Sequence, residues 1–517
     1  MFKAFRKDNY KKSHKIREQL SLDRITGVLS TKEQLESQLN QSEIEKENRL
    51  GKFLFILGPH EVVPDEISLL FVYPVNKFPY TPETIYRIKH FCYPNGMNCT
   101  ESKNEPVQNQ FVFTLNEDGK LFFGVCTHFY PQGPQFLSNS ESGQPFCICT
   151  ITQNPQLNQN FQFQSILISL INNPQLDINT KFDVKLLQYD LKPDPVFIDH
   201  LQQFNPPLTV HSSNPVVSSI NPSFIPTKIV DTLSLYLQIS NQQNCALKLS
   251  NTHSVFITAT ESAAKQIAST IFDVLFSILS VKNVLKFLSA ILTEQRIIVY
   301  GSDLNNISSV VLSAIPMISP LEYKGAFLPL VPNRAEFIDY LGTPIPYIFG
   351  VLKFDGFLAA LNSFVDPAEV CLIDVDNDKL QFPESVPMLP KFSELKNLLQ
   401  TQLNQIGACK RSAQNMNEIA GSGVAWSFKW NRKNKYIFTP GNSQKMQHIF
   451  TRYLNEMVGP ERLSGCRVRD TTDPDHPKVG FVNDAYMIGI NECDLDFVEA
   501  FIGTQSFQAY CEETFFS

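Results

Sequence analysis

Cys147 and Cys149, one residue apart in the run PFCICTITQ, could share a metal ion through their thiolates. The run itself is apolar and β-branched. The two side chains are therefore expected on alternate faces of a strand, with no metal bound. The histidines, at 14, 60, 90, 128, 200, 211, 253, 448 and 476, include no pair three or four residues apart, so the usual helical metal pair is missing. There is no GxxxxGK[ST] loop, no HExxH and no GxSxG elbow. Gly421-Ser422-Gly423 begins a dinucleotide fingerprint, but its sixth position is Trp426. A catalytic triad can be dispersed. Even so, the residues alone point to a multidomain protein that works by binding, with no cofactor and no catalytic residue assigned.

Composition narrows the partners. Basic residues number 44 against 51 acidic ones, a net charge of −7, which argues against a dedicated nucleic-acid binder. With 43% hydrophobic residues the chain can bury sizeable cores. No apolar run reaches the length of a membrane span. The start, MFKAFRKDNYKKSHKIREQL, lacks the apolar core of a secretory signal. Eleven cysteines without a regular framework suggest reduced thiols and a cytoplasmic location. Seven Lys or Arg against one Asp among the first 17 residues make a basic tail. It is expected to be mobile, or to sit against an anionic membrane surface.

The elements follow from periodicity. KFLFILG, EISLLFVYPV, QFVFTLNEDGKLFFGVCTHFY and PFCICTITQ read as strands, with a hairpin turn over Asn116–Lys120. Phe161–Leu170 reads as a helix. The Asn/Gln-rich stretch 153–164 reads as a polar surface insertion. Seven prolines between Lys192 and Pro226 make an extended linker. Beyond it, helical stripes over Ser262–Leu279 and Val284–Leu292 lead into alternating strands and helices. Strands are expected at Arg296–Tyr300, Ala326–Val331, Pro344–Leu352 and Val370–Val375, and helices at Asp303–Ile315 and Phe357–Phe364. Asn333–Glu336 resembles a capping box. This alternation implies a parallel sheet. The end is mostly helical: Lys391–Leu403, Met446–Met457 and one helix over Asp494–Thr514. The expected division is 1–50 as tail, 51–191 as an α+β lobe, 192–228 as linker, 229–390 as an α/β lobe and 391–517 as a helical part.

Three blocks of residues resemble the three parts of the DENN domain. LLFVYPVNKFPY (Leu69–Tyr80) with IKHFCYPNG (Ile88–Gly96) is similar to the upstream part. ILTEQRIIVYGSDLNNISSVVLSAIPMISPLEYKGAFLPLVP (Ile291–Pro332) with DYLGTPIPYIFGV (Asp339–Val351) is similar to the central part. FVEAFIGTQSFQAYCEE (Phe497–Glu513) is similar to the downstream part. The resemblance implies a bilobal α/β fold, with an N-terminal longin-like α+β lobe and a C-terminal α/β lobe. It also implies a guanine-nucleotide exchange factor for a Rab-type small GTPase, acting in vesicle trafficking, cytoplasmic and peripheral at intracellular membranes. Such a factor grips the emptied GTPase between its lobes and breaks no covalent bond. The alternatives are a GTPase-activating protein using Arg87, in the helical context IYRIKHF, or a GTPase-binding scaffold without catalysis.

Because exchange depends on surfaces, the candidates are contact residues. Tyr323 and Arg334 lead, since aromatic and Arg side chains concentrate interface energy; Tyr323 could equally be a core residue. Glu294 could face the GTPase or pair with Arg296 across a helix–strand turn. Ser302 and Asp303 follow a strand end, where ligand-facing loops gather, or they cap a helix. Phe78 and Tyr80 are contact aromatics or core residues.

Overall fold

Two five-stranded sheets carry the fold. The computed structural model describes residues 51–59, 66–73, 80–96, 107–130 except 118, 144–172, 184–185, 236, 245–248, 254–257, 262–407 except 355, 436, 438, 440–470 and 478–516. The basic tail, Phe78, the proline-rich linker and most of the stretch 409–445 lie outside them.

The first sheet contains β1 (Phe53–Pro59), β2 (Ile67–Tyr73), β3 (Val107–Glu117), β4 (Lys120–Phe129) and β5 (Phe146–Thr152). Its order is β2-β1-β5-β4-β3, antiparallel throughout. The expected hairpin joins β3 to β4, with Gly119 at φ +78°. One face is covered by α1 (Pro82–Cys92), whose side chains at 85, 88 and 92 form a buried stripe. Thr81 caps this helix by accepting from the Thr84 amide at 3.2 Å.

The other face is covered by α2 (Leu157–Asn172). This corrects the expectation of a polar surface insertion. Asn160 and Gln164, one helical turn apart, are fully buried. Gln164 Oε1 accepts from Thr127 Oγ1 at 2.6 Å, while its Nε2 donates to Val125 O at 2.8 Å and Thr150 Oγ1 at 2.9 Å. Amide-rich composition reads as surface, but here the Gln164 carboxamide meets the threonines of the sheet while Asn160 Nδ2 donates to Gln156 O at 2.9 Å, and burial with partners is tolerated. Three short strands, β6 (Val184–Lys185), β7 (Cys245–Lys248) and β8 (Ser254–Ile257), form a separate antiparallel sheet that periodicity did not foresee.

The second sheet contains β9 (Arg296–Gly301), β10 (Ala326–Val331), β11 (Tyr347–Leu352), β12 (Cys371–Asp374) and β13 (Lys379–Gln381), ordered β10-β11-β9-β12-β13. The first four run parallel, as the helix–strand alternation required. Ile297, Ile298 and Val299 are buried on both faces of central β9, the signature of a covered parallel sheet. On one side lies α5 (Leu304–Leu312), where Ile307 closes over Gly350. On the other lies α8 (Phe357–Phe364), where Phe357 packs on Tyr300 at 5.1 Å.

α3 (Ala263–Ile278) packs on α5, on α6 (Ala314–Ile318) and on α10 (Pro440–Val458), while α4 (Val281–Leu292) packs on α6 and α9 (Phe392–Ile406) packs on α4 and α10. No single described helix is long and apolar enough to cross a membrane; α3 and α4 meet at 120°. Short α7 (Ala335–Ile338) follows β10. The chain continues through α11 (Pro460–Ser464), the hairpin β14 (Arg467–Asp470) with β15 (Lys478–Phe481), and α12 (Asn483–Met487). The single helix expected over Asp494–Thr514 is two, α13 (Leu495–Ile502) and α14 (Gln505–Phe516). Thr504 breaks the run: its hydroxyl donates to Phe501 O at 2.7 Å and accepts from the Phe507 amide at 3.3 Å.

Candidate functional site

The two sheets meet along a seam. Edge strand β3 packs against α5 and β10, and Thr114 Oγ1 donates to Phe327 O at 3.0 Å. A second contact joins α1 to the segment after β10. The Asn333 amide donates to Pro94 O at 2.7 Å, and Tyr86 Oη donates to Glu336 Oε1 at 2.9 Å. Phe91 stacks on Phe113 at 5.1 Å and meets Phe337 edge-on at 5.6 Å. Three aromatic rings thus run from the first sheet through α1 into α7. Each such pair adds about 0.5–1.5 kcal/mol beyond burial.

His90 sits inside this contact, between Tyr86 at 4.3 Å and Phe337 at 6.5 Å. Its Nδ1 is buried without a hydrogen-bond partner among the described residues. Burial first, then the positive charge of Arg334, pushes its pKa down to about 4. The ring is therefore neutral near pH 7.

The rim of the seam is exposed and rich in interface-type residues. Tyr86 and Tyr340 are 46% and 45% exposed. Arg334 is also exposed, and among the described residues its guanidinium has no ion pair or hydrogen bond. Asn333 does not cap α7 as the capping-box reading required. Its amide and side chain face α1 instead, the side chain at 3.3 Å from Asn95 Oδ1. Arg334 occupies the cap position, with extended backbone that turns its side chain out of the helix.

The other candidate residues fall elsewhere. Ser302 bonds Asp376 Oδ1 through its amide and hydroxyl, both at 3.0 Å. Asp303 caps α5 by accepting from the Asn306 amide at 3.0 Å. Glu294 does not pair with Arg296, which bonds Glu369 at 2.6 Å. Its carboxylate instead caps α14, accepting from the Gln505 amide at 2.9 Å, the Ser506 amide at 2.8 Å and Ser506 Oγ at 2.5 Å. Tyr323 is mostly buried, its ring 6.5 Å from Phe327 and its hydroxyl without a partner among the described residues. Burial drives its pKa up, and the nearby Glu294 charge adds to the rise. Tyr80 is a core residue, packed edge-on against Phe53 at 5.3 Å. Arg87 is exposed and pairs with Glu83, one turn back on α1, at 2.7 Å.

The set therefore divides. Arg334, Ser302 and Asp303 lie beyond the C-terminal ends of the parallel strands β10 and β9. Glu294 and Tyr323 lie at their N-terminal ends. Six strand residues, about 20 Å, separate the two edges. Only Arg334 joins an exposed aromatic neighbourhood. The sequence reading missed Tyr86, Glu336 and Tyr340. Tyr86 carried a signal, since it falls off the buried stripe of α1.

The cysteines also need correcting. Residues two apart on a strand share a face, and Cys147 and Cys149 both point toward α1. Cys149 opposes Cys126, and Cys147 opposes His128, on β4.

Two comparisons with known proteins bear on this arrangement. The DENN (AEX-3) domain profile matches residues 213–378, and the uDENN profile matches 67–129. The chain therefore carries a uDENN and a DENN region. The uDENN match runs from β2 through α1 to β4, and the DENN match takes in α3 to β12. The seam therefore joins the two matched regions. Phe497–Glu513, the downstream block, lies outside both ranges. Among relatives, the MAP kinase-activating death domain protein of Caenorhabditis elegans is 22% identical over 351 residues, 61% of this chain and 23% of that protein. Its namesake in Mus musculus is 35% identical over 122 residues, 23% of this chain and 8% of that protein. DENN domain-containing protein 2A of Mus musculus is 23% identical over 249 residues, 47% of this chain and 22% of that protein. The chain spans less than a quarter of the length of these relatives.

Proposed function

We propose that this protein is a guanine-nucleotide exchange factor for a Rab-type small GTPase. The observation that carries the reading is Arg334, exposed and without an ion pair or hydrogen bond among the described residues, on the same rim as exposed Tyr86 and Tyr340 of the seam that joins the uDENN and DENN regions. Arg and Tyr are the residue types that concentrate binding energy at interfaces. The seam offers them from two elements held in fixed relation.

The task needs no covalent chemistry. An exchange factor must bind the nucleotide-free GTPase better than the nucleotide-bound form, because only differential affinity shifts the equilibrium. By linkage it weakens nucleotide binding by the same factor. A rigid two-sheet platform suits this work, since it can hold the partner's switch segments away from the magnesium and phosphate. On this reading the protein is cytoplasmic and reaches intracellular membranes through its partner and its basic N-terminal segment.

The test is release of labelled GDP from a panel of Rab proteins. Acceleration on at least one, cut about tenfold or more by Arg334→Ala at unchanged folding, is the expected result. No acceleration on any member, or equal affinity for loaded and stripped GTPase, would sink the proposal. Arg87, tied to Glu83, gives the GTPase-activating alternative no support.

A further inference from the structure

Four cysteines from three elements converge on the buried face of the first sheet. Cys126 and Cys149 are direct cross-strand neighbours on β4 and β5, and Cys147 lies on the same face two residues on. Cys92, the last residue of α1, closes over them. Its Sγ is 3.7 Å from that of Cys126, and the sulfurs of Cys92, Cys126 and Cys147 all lie within 4.8 Å of one another. Cys149, directly opposite Cys126, adds a fourth thiol on the same face. All four side chains are fully buried.

These distances have a chemical meaning. Tetrahedral thiolate coordination at a Zn–S bond of about 2.3 Å separates the sulfurs by about 3.8 Å. Buried cysteines used only as small hydrophobes have no reason to turn their sulfurs toward one point from a helix and two strands. The surroundings also fit a closed site. His128 donates Nε2–H to Cys92 O at 2.7 Å and sits directly opposite Cys147 on the neighbouring strand, so one side chain lies against two members of the set. Tyr93 stacks on His128 at 5.0 Å, and its hydroxyl is anchored on Leu57 O and Pro145 O at 3.2 and 3.0 Å.

We propose that Cys92, Cys126, Cys147 and Cys149 bind a structural zinc ion that fastens α1 to β4 and β5. Zinc is favoured because the donors are soft thiolates, three of the sulfurs already lie within 4.8 Å of one another, Cys149 supplies a fourth thiol beside Cys126, and all four are buried away from solvent. Binding exchanges four S–H protons for the metal, leaving a site of charge 2−, so uptake weakens in acid. The structural role is specific: α1 also carries Tyr86, His90 and Phe91 of the seam, and the metal would hold that helix end in place.

The experiment is metal analysis of the full chain, purified under reducing conditions without chelator. About one zinc ion per chain is expected. Replacing it with Co²⁺ should give the visible d–d bands and sulfur-to-cobalt charge transfer of a tetrahedral thiolate site. Cys126→Ser should lose the metal, while Cys466→Ser and Cys511→Ser, buried outside the cluster, should keep it. Should Cys126→Ser fail to fold, the wild-type chain decides alone. A folded, reduced chain that holds no metal and takes up neither Zn²⁺ nor Co²⁺ overturns the proposal. A Cys92–Cys126 disulfide found by non-reducing peptide mapping overturns it equally.

Discussion

Glu294 is the point where the central region holds the end of the chain, and its removal has a calculable effect. Its carboxylate accepts three hydrogen bonds from the start of α14, two from backbone amides that otherwise have no helical partner. A lost cap costs about 0.5–2 kcal/mol, and the charge adds about 0.3–1 kcal/mol against the helix dipole. Glu294→Ala should therefore loosen α14 by about 2 kcal/mol, which is about a 30-fold rise in local opening. Glu294→Gln keeps the shape and loses the charge, so about half of that effect is expected. The backbone adds a third arm. Glu294 has φ +47°, where a side chain costs about 1–2 kcal/mol relative to glycine. Glu294→Gly should thus be milder than Glu294→Ala, despite losing the same cap. Hydrogen exchange of the peptide 505–516, followed by mass spectrometry, reads the local opening. Unchanged exchange in Glu294→Ala would refute the capping argument. A glycine variant worse than the alanine one would refute the backbone argument.

Other outcomes follow from the seam. Tyr340→Ala, like Arg334→Ala, should reduce GDP release from the responsive Rab while leaving the melting temperature within about 2 °C, because both side chains are exposed. His90 makes the seam acid-sensitive. Above the ordinary imidazole pKa neither the folded nor the unfolded chain holds its proton; below it the unfolded chain takes up the proton first, so stability falls from about pH 6.5 to about pH 4, by about 3 kcal/mol in all. Arg334, Glu336, Lys89 and Tyr86 are the charged and titratable groups around it, and a His90→Gln chain whose urea midpoint keeps the same pH slope would contradict this. Gly124→Ala should destabilise by about 1–3 kcal/mol, since a Cβ there meets the Phe113 ring that stacks on Phe91. A denaturation midpoint equal to wild type would show that the ring moves aside freely.

How much could be read in the residues depended on whether the cause was local. The β9 run Ile297–Val299 announced a covered parallel strand, and Asn116–Lys120 announced its hairpin, because neighbours in sequence determine both. Glu294 was opaque for the opposite reason. Its true partners lie 211 and 212 residues away, while Arg296, two residues off, offered a false one. The Asn/Gln stretch misled through composition, although the spacing of Asn160 and Gln164 already placed both on one helix face. For Cys147 and Cys149 the alternate-face reading uses the wrong period: a spacing of two on a strand means one face, and that rule groups them from sequence alone.

The candidate site was half legible because strand-flanking position was visible while strand direction was not used. Glu294 and Tyr323 precede β9 and β10; Ser302, Asp303 and Arg334 follow them. In an antiparallel pair such residues would alternate between edges. In a parallel sheet every preceding residue lies at one edge and every following residue at the other. The alternation that implied parallel strands therefore already implied that these candidates divide into two groups. The group at the N-terminal edge is occupied by the start of α14 and by Tyr323's own packing. The group at the C-terminal edge lies where βα loops of parallel sheets present side chains to ligands. Within it, Ser302 and Asp303 are committed to Asp376 and to the cap of α5. Arg334, pushed outward by Asn333's grip on α1, is left with a charge to offer a partner.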